Sequence, residues 1–120
     1  MVASPKQKER PRELKGTTYK AKTGCGTLFI TINEDEDSML EVFTRIGKSG
    51  GCASSQCEAL GRLASLAYRL GADTTDITKQ LSGIICHQPF AGSATFCATA
   101  SCSDALAQTL ASHIPKAKKE

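Results

Sequence analysis

The apolar positions of this chain change period once. Thr17-Thr18-Tyr19-Lys20-Ala21-Lys22 and Thr27-Leu28-Phe29-Ile30-Thr31-Ile32 carry β-branched and aromatic residues at strand spacing. Asn33-Glu34-Asp35-Glu36-Asp37-Ser38 packs too many carboxylates together for a strand and predicts a turn. Leu40–Ile46 then predicts a third strand and an antiparallel hairpin. From Ala53 to Leu70 the period is helical, with Leu60, Leu63, Ala64, Ala67 and Leu70 on one face. Gly71 is the expected stop. Asp73 predicts an N-cap, with Asp76 in the first turn of a short helix through Leu81, and Gly83 ends that helix. Residues 87–100 read as a loop. Ser101-Cys102-Ser103-Asp104 resembles a capping box with Asp in place of Glu, opening a last helix with Leu106, Leu110 and Ile114 on one face and Pro115 at its end. The fold class that follows is α+β: a small antiparallel sheet of three strands or so, with helices packed on one face.

Length and charge divide the chain further. With 120 residues it forms one domain, spanning 16–114, with a disordered basic leader at 1–15 and a basic tail at 115–120. The net charge of +3 arises mainly from these ends, which include Lys6, Lys8, Arg10 and Arg12 at one and Lys116, Lys118 and Lys119 at the other. They read as solvated tails, or as arms that track phosphates. Aromatic residues make up 5% of the chain, with no Trp, which argues against a nucleic-acid surface built on stacking. No apolar run approaches the roughly 18 residues of a membrane span. The first 22 residues lack the apolar core of a secretory signal, so a cytoplasmic location with reduced thiols is expected.

Six cysteines carry the candidate chemistry. Cys25, Cys52, Cys86 and Cys102 each fall where one predicted element gives way to another. Cys52 and Cys102 open helices, where free N–H groups favour a thiolate, the form that binds zinc or an iron–sulfur cluster. Four sulfurs would have to converge at about 2.3 Å from a zinc ion. No C-x2-C knuckle is present, so the spacing leaves metal ligation and small thiols filling a core as two open readings. Cys57 and Cys97 read as fillers, with a labile Cys97–Cys102 disulfide as the redox alternative. His87 reads as a loop residue and His113 as a helix-end cation. Gly47-Lys48-Ser49-Gly50-Gly51 lacks the first glycine of a Walker A loop, since Val42 stands there, and retains at most a weak anion nest.

A longer set of residues resembles a known family. Leu14-Lys15-Gly16, Thr18-Tyr19-Lys20, Lys22 through Asn33, Glu41-Val42-Phe43, Gly47 through Ala53, Glu58 through Leu63, Lys79 through Ile84 and Ser101 through Ala107 follow in order the segment after the catalytic barrel of adenosylcobalamin-dependent (class II) ribonucleotide reductases. This TSCPD domain is named for its Thr-Ser-Cys-Pro-Asp motif. The motif reads Ala100-Ser101-Cys102-Ser103-Asp104 here. Serine replaces a proline that the first helical turn merely tolerates. The resemblance covers roughly residues 10–112 and implies a stand-alone accessory domain. The reductase's barrel, radical cysteine and reducing pair are absent from this sequence, so no catalysis by the chain alone is expected. The resemblance also implies a structural site formed by Cys25, Cys52, Cys86 and Cys102, for zinc or alternatively an iron–sulfur cluster. The expected partner is a protein of deoxyribonucleotide metabolism, such as a ribonucleotide reductase, with a homo-oligomer also open. The competing functions are a thiol–disulfide redox carrier, and a nucleotide- or nucleic-acid-binding module using the Gly47–Gly51 turn and the basic tails.

Overall fold

A computed structural model describes residues 7–35, 40–46 and 51–113. Three strands, β1 (Lys15–Thr23), β2 (Gly26–Glu34) and β3 (Leu40–Ile46), precede three helices, α1 (Gly51–Arg69), α2 (Thr74–Leu81) and α3 (Cys102–Ser112). The sheet is antiparallel in the order β1-β2-β3, with Tyr19 opposite Ile30 and Ile32 opposite Val42. This is the expected α+β fold. Among the described residues no helix is long and apolar enough to cross a membrane.

Strand alternation divides the sheet into two unlike faces. Leu28, Ile30 and Ile32 of β2 and Val42 and Ile46 of β3 point into the core. Ala64 and Tyr68 of α1, Ile77 of α2, and Ala105, Leu106 and Leu110 of α3 cover them. Among the described residues no helix covers the opposite face.

Helix α1 packs in a different rotation from the one its leucines suggest. Its buried residues are Cys57, Gly61, Ala64, Ser65 and Tyr68, whereas Leu63 is 64% and Leu70 39% exposed. The reason is distance, because α1 lies close along the outer edge of β3. Ser65 Oγ accepts from Val42 N–H and donates to Val42 C=O, both at 2.9 Å. Thr44 Oγ1 donates to the Cys57 carbonyl. A Cβ at Gly61 would stand 3.1 Å from Thr44 Oγ1. Small residues permit this approach, and the helix thereby satisfies an otherwise open strand edge.

The caps follow the sequence closely. Asp73 accepts from Thr75 N–H at 2.7 Å, and Gly71 adopts φ 100° after α1. Ser101 Oγ accepts from Asp104 N–H at 3.1 Å. Asp104 departs from a capping box by accepting from Ala100 and Gly83 N–H groups, at 3.0 and 2.9 Å, which ties the end of α2 to the start of α3.

Within the stretch read as a leader, Lys8 N–H donates to Arg69 C=O at 3.0 Å and Lys8 Nζ lies 2.6 Å from Asp35. Arg10 Nε donates to Glu41 at 2.7 Å. Lys8 and Arg10 thus tie this stretch to the end of β2, to β3 and to the end of α1. Residues 1–6, Glu36 to Met39, Gly47 to Gly50 and residues 114–120 lie outside the described residues. With them lie both extreme tails, part of the acidic turn, Ile114 and most of the glycine-rich loop.

Candidate functional site

Three of the four predicted ligand positions meet at one end of the sheet. Cys25 occupies the tight β1–β2 turn, where Thr23 pairs with Gly26. Thr23 Oγ1 accepts from Cys25 N–H at 3.2 Å and donates to Gly26 C=O at 2.8 Å, which fixes the turn. Gly24 is required there, since a side chain would collide with the Gln88 carbonyl. That contact holds the hairpin tip against the loop bearing Cys86, whose sulfur accepts from Gln88 N–H at 3.3 Å. The loop is anchored by Cys86 N–H donating to Ala100 C=O at 3.0 Å and by Thr99 Oγ1 donating to Lys22 C=O at 2.9 Å. Cys102 is the first residue of α3, and its thiol lies 3.6 Å from Thr23 Oγ1.

The sulfurs perturb one another. Hydrogen bonding from the Cys57 thiol, then contacts with Thr23 and Cys25, holds Cys102 down at about 6 despite partial burial. Cys57 is pushed up, first by donating to Cys102 and then by burial. Cys25 is raised by desolvation, with Cys102 and Cys86 adding to it. The cluster therefore comprises Cys25, Cys86 and Cys102, with Cys57 reaching it from inside α1. Cys52 sits exposed on the first turn of α1 and takes no part in these contacts. Cys97 is exposed in the 87–100 loop. Cys57 lies five positions after Cys52 on the helix, which turns the two side chains in different directions.

The chemistry of this donor set suits zinc or an iron–sulfur cluster. Its arrangement does not yet, since no three His, Cys, Asp or Glu side chains among the described residues are placed to hold a metal ion. The thiols lie beside one another without forming a metal-holding group, so ligation requires them to rearrange. Cys57, read from the sequence as a filler, is buried in the core, and its contact with Cys102 is what the sequence did not reveal. The available signal was its place on the buried side of the helix, four residues before Gly61 and seven before Ala64.

Asp104 supports the site from behind. Burial alone would raise its carboxyl, but hydrogen bonds from Ala100, Gly83 and Gln108 outweigh that and keep it below the usual carboxylate range. His113, predicted at a helix end, is the C-cap residue of α3. Its Nδ1 meets Tyr19 OH at 2.7 Å, and Nε2 lies 3.5 Å from Glu34. This joins α3 to β1 and β2.

A family model described as TSCPD domain matches residues 3–114. No curated protein and no solved structure matches the chain.

Proposed function

The chain belongs to the TSCPD domain family, and from that premise we propose that it is an accessory domain whose cysteine cluster holds a structural metal ion, zinc by preference, while its surface serves a protein partner in deoxyribonucleotide metabolism such as a ribonucleotide reductase. One observation carries the metal reading: Cys25, Cys86 and Cys102 come from a hairpin turn, a loop and a helix N-terminus, and the fold brings them together. A metal there would lock three segments that otherwise share few apolar contacts, and its binding energy would become folding energy. Cys102, already ionised near neutrality, would be the first ligand. Cys25 and Cys86 would lose protons on binding. The fourth sulfur has two claimants, Cys52 by its place in the family's motifs and Cys57 by its contact with Cys102.

Elemental analysis of protein purified without air tests this. About one zinc per chain and no colour supports the clamp, that being the ratio of one tetrahedral site. Iron with visible absorbance makes the group a cluster. No metal, with every thiol free, removes the proposal. Cys102→Ser should lose the metal, and comparing Cys52→Ser with Cys57→Ser identifies the fourth ligand. A second reading, a thiol–disulfide carrier, draws on the low value of Cys102 and its contact with Cys57. Metal content decides here too, since a saturated site leaves few thiols to cycle.

A further inference from the structure

We propose that the open face of the sheet binds single-stranded nucleic acid, a function separate from the cysteine cluster and independent of the basic tails. Strand register arranges this face in four rows. Lys22 stands beside Thr27; Lys20, Phe29 and Arg45 form the second row; Thr18, Thr31 and Phe43 the third; Gly16, Asn33 and Glu41 the fourth. Two phenyl rings thus lie diagonally on adjacent strands, close enough to act together. Phe43 is 55% exposed, which gives a base an open ring to stack on. A third ring, Phe96, borders the first row with Lys22 Nζ 5.6 Å from its centre.

The charge on the face selects a polyanion. Lys20, Lys22 and Arg45 make no ion pair with a carboxylate among the described residues. The carboxylate in the last row, Glu41, is neutralised by Arg10 at 2.7 Å and Arg69 at 3.1 Å. Glu58 is matched by Arg62 at 3.0 Å. Arg62 and Arg69 also line a groove of about 350 Å³ between β3 and α1, which opens beside Phe43 and runs past Glu41, Thr44 and Ser65. That volume lies at the small end of ligand sites. Its two guanidinium groups are already paired with Glu58 and Glu41, so the unpaired charge on the face, among the described residues, is that of Lys20, Lys22 and Arg45.

The arrangement favours an unpaired strand over other occupants. Stacking on Phe29 and Phe43 needs exposed base faces, which a duplex conceals. A protein partner would favour a surface depleted in lysine, and this face carries two. Arg45 lies 5.9 Å from the Phe29 ring, an exposed cation–π contact weaker than a base stack, so a base can take the ring while the guanidinium turns to a phosphate.

The test is fluorescence anisotropy with labelled oligothymidine and oligouridine strands, and duplex DNA as competitor, over a salt series. Phe43→Ala should weaken strand binding roughly tenfold. Arg45→Ala should reduce the salt slope by about 0.7, the share of one phosphate contact on a single strand. Phe43→Leu, which keeps apolar bulk without a ring, should behave as Phe43→Ala does, and thermal melting confirms that both fold. Leu63→Ala, on the outer side of α1, should bind normally. The proposal is overturned if neither strand binds at low salt, or if duplex competes equally. It is also overturned if the Phe43 and Arg45 variants bind like the parent while alanines at Lys116, Lys118 and Lys119 abolish binding, or if a bound polypeptide occupies the face and the strand fails to displace it.

Discussion

The two faces of the sheet share three strands, and one register separates their roles. The inner face holds Leu28, Ile30, Ile32 and Val42 at near-zero exposure beneath helices. The outer face, offset by a single residue, exposes Lys20, Phe43 and Arg45 around the half-buried Phe29 and Thr31. The inner face holds the fold together through buried area. The outer face contributes little to stability, so its apolar rings need another explanation. A slip of one residue would exchange the two sets, so the tight β1–β2 turn at Gly24 and Cys25 protects function as much as fold.

The largest expected effect comes from breaking the inner face. Ile30→Ala removes a fully buried side chain and should cost about 3–4 kcal/mol. Phe43→Ala, opposite in direction and one strand away, should change stability by less than about 0.5 kcal/mol. Urea denaturation of both variants checks the contrast, and equal losses would mean that the outer face is covered in solution.

Next comes the boundary between the faces, where Glu41 is buried yet paired outward. Burial opposes its ionisation, but hydrogen bonds from Arg10 and Asn33, and the Arg10 charge, keep its carboxyl below the ordinary 4.5. A depressed carboxylate stabilises the fold above 4.5 and loses that contribution as pH falls through its lower folded value. Glu41→Gln should therefore destabilise near neutrality by about 1–2 kcal/mol, less than a fully buried pair would, because both arginines are partly exposed. It should also flatten the acid limb of the stability curve. Ser65→Ala tests the other boundary, leaving buried Val42 N–H without its partner at a cost of about 1 kcal/mol or more.

Which features the sequence revealed follows from this contrast. Alternation and caps are local, so the three strands, the Asp73 and Ser101 caps and the α+β class were legible before the structure. The rotation of α1 was not. Apolar periodicity weighs leucine above glycine, alanine and serine, whereas a helix lying against a strand edge selects small residues such as Gly61, Ala64 and Ser65. The same rotation buries Cys57 and exposes Cys52, which is why contacts and spacing disagree about a fourth sulfur. The basic, aromatic outer face was hidden for a different reason. Four phenylalanines are few in a chain of this length, and composition cannot report that register places two of them diagonally on adjacent strands.

One last contrast, read by titration rather than by unfolding, distinguishes Cys52 from Cys57 most clearly. In metal-free, reduced protein Cys102 should titrate near 6, below the ordinary 9, because Cys57 donates to it. Its folded value is depressed, so ionised Cys102 stabilises the fold fully above 9, and that stability is lost as pH falls through about 6. The upward shift of Cys57 acts at the alkaline end, leaving the interval from 6 to 9 to Cys102. Cys57→Ala removes the first donor and should return the thiolate transition, followed by ultraviolet absorbance, toward 9. Cys52→Ala, on an exposed first turn, should leave it unmoved. If Cys52→Ala shifts the transition instead, the start of α1 folds over the hairpin tip in solution, and the four-sulfur set expected from the family's motifs is the one that assembles.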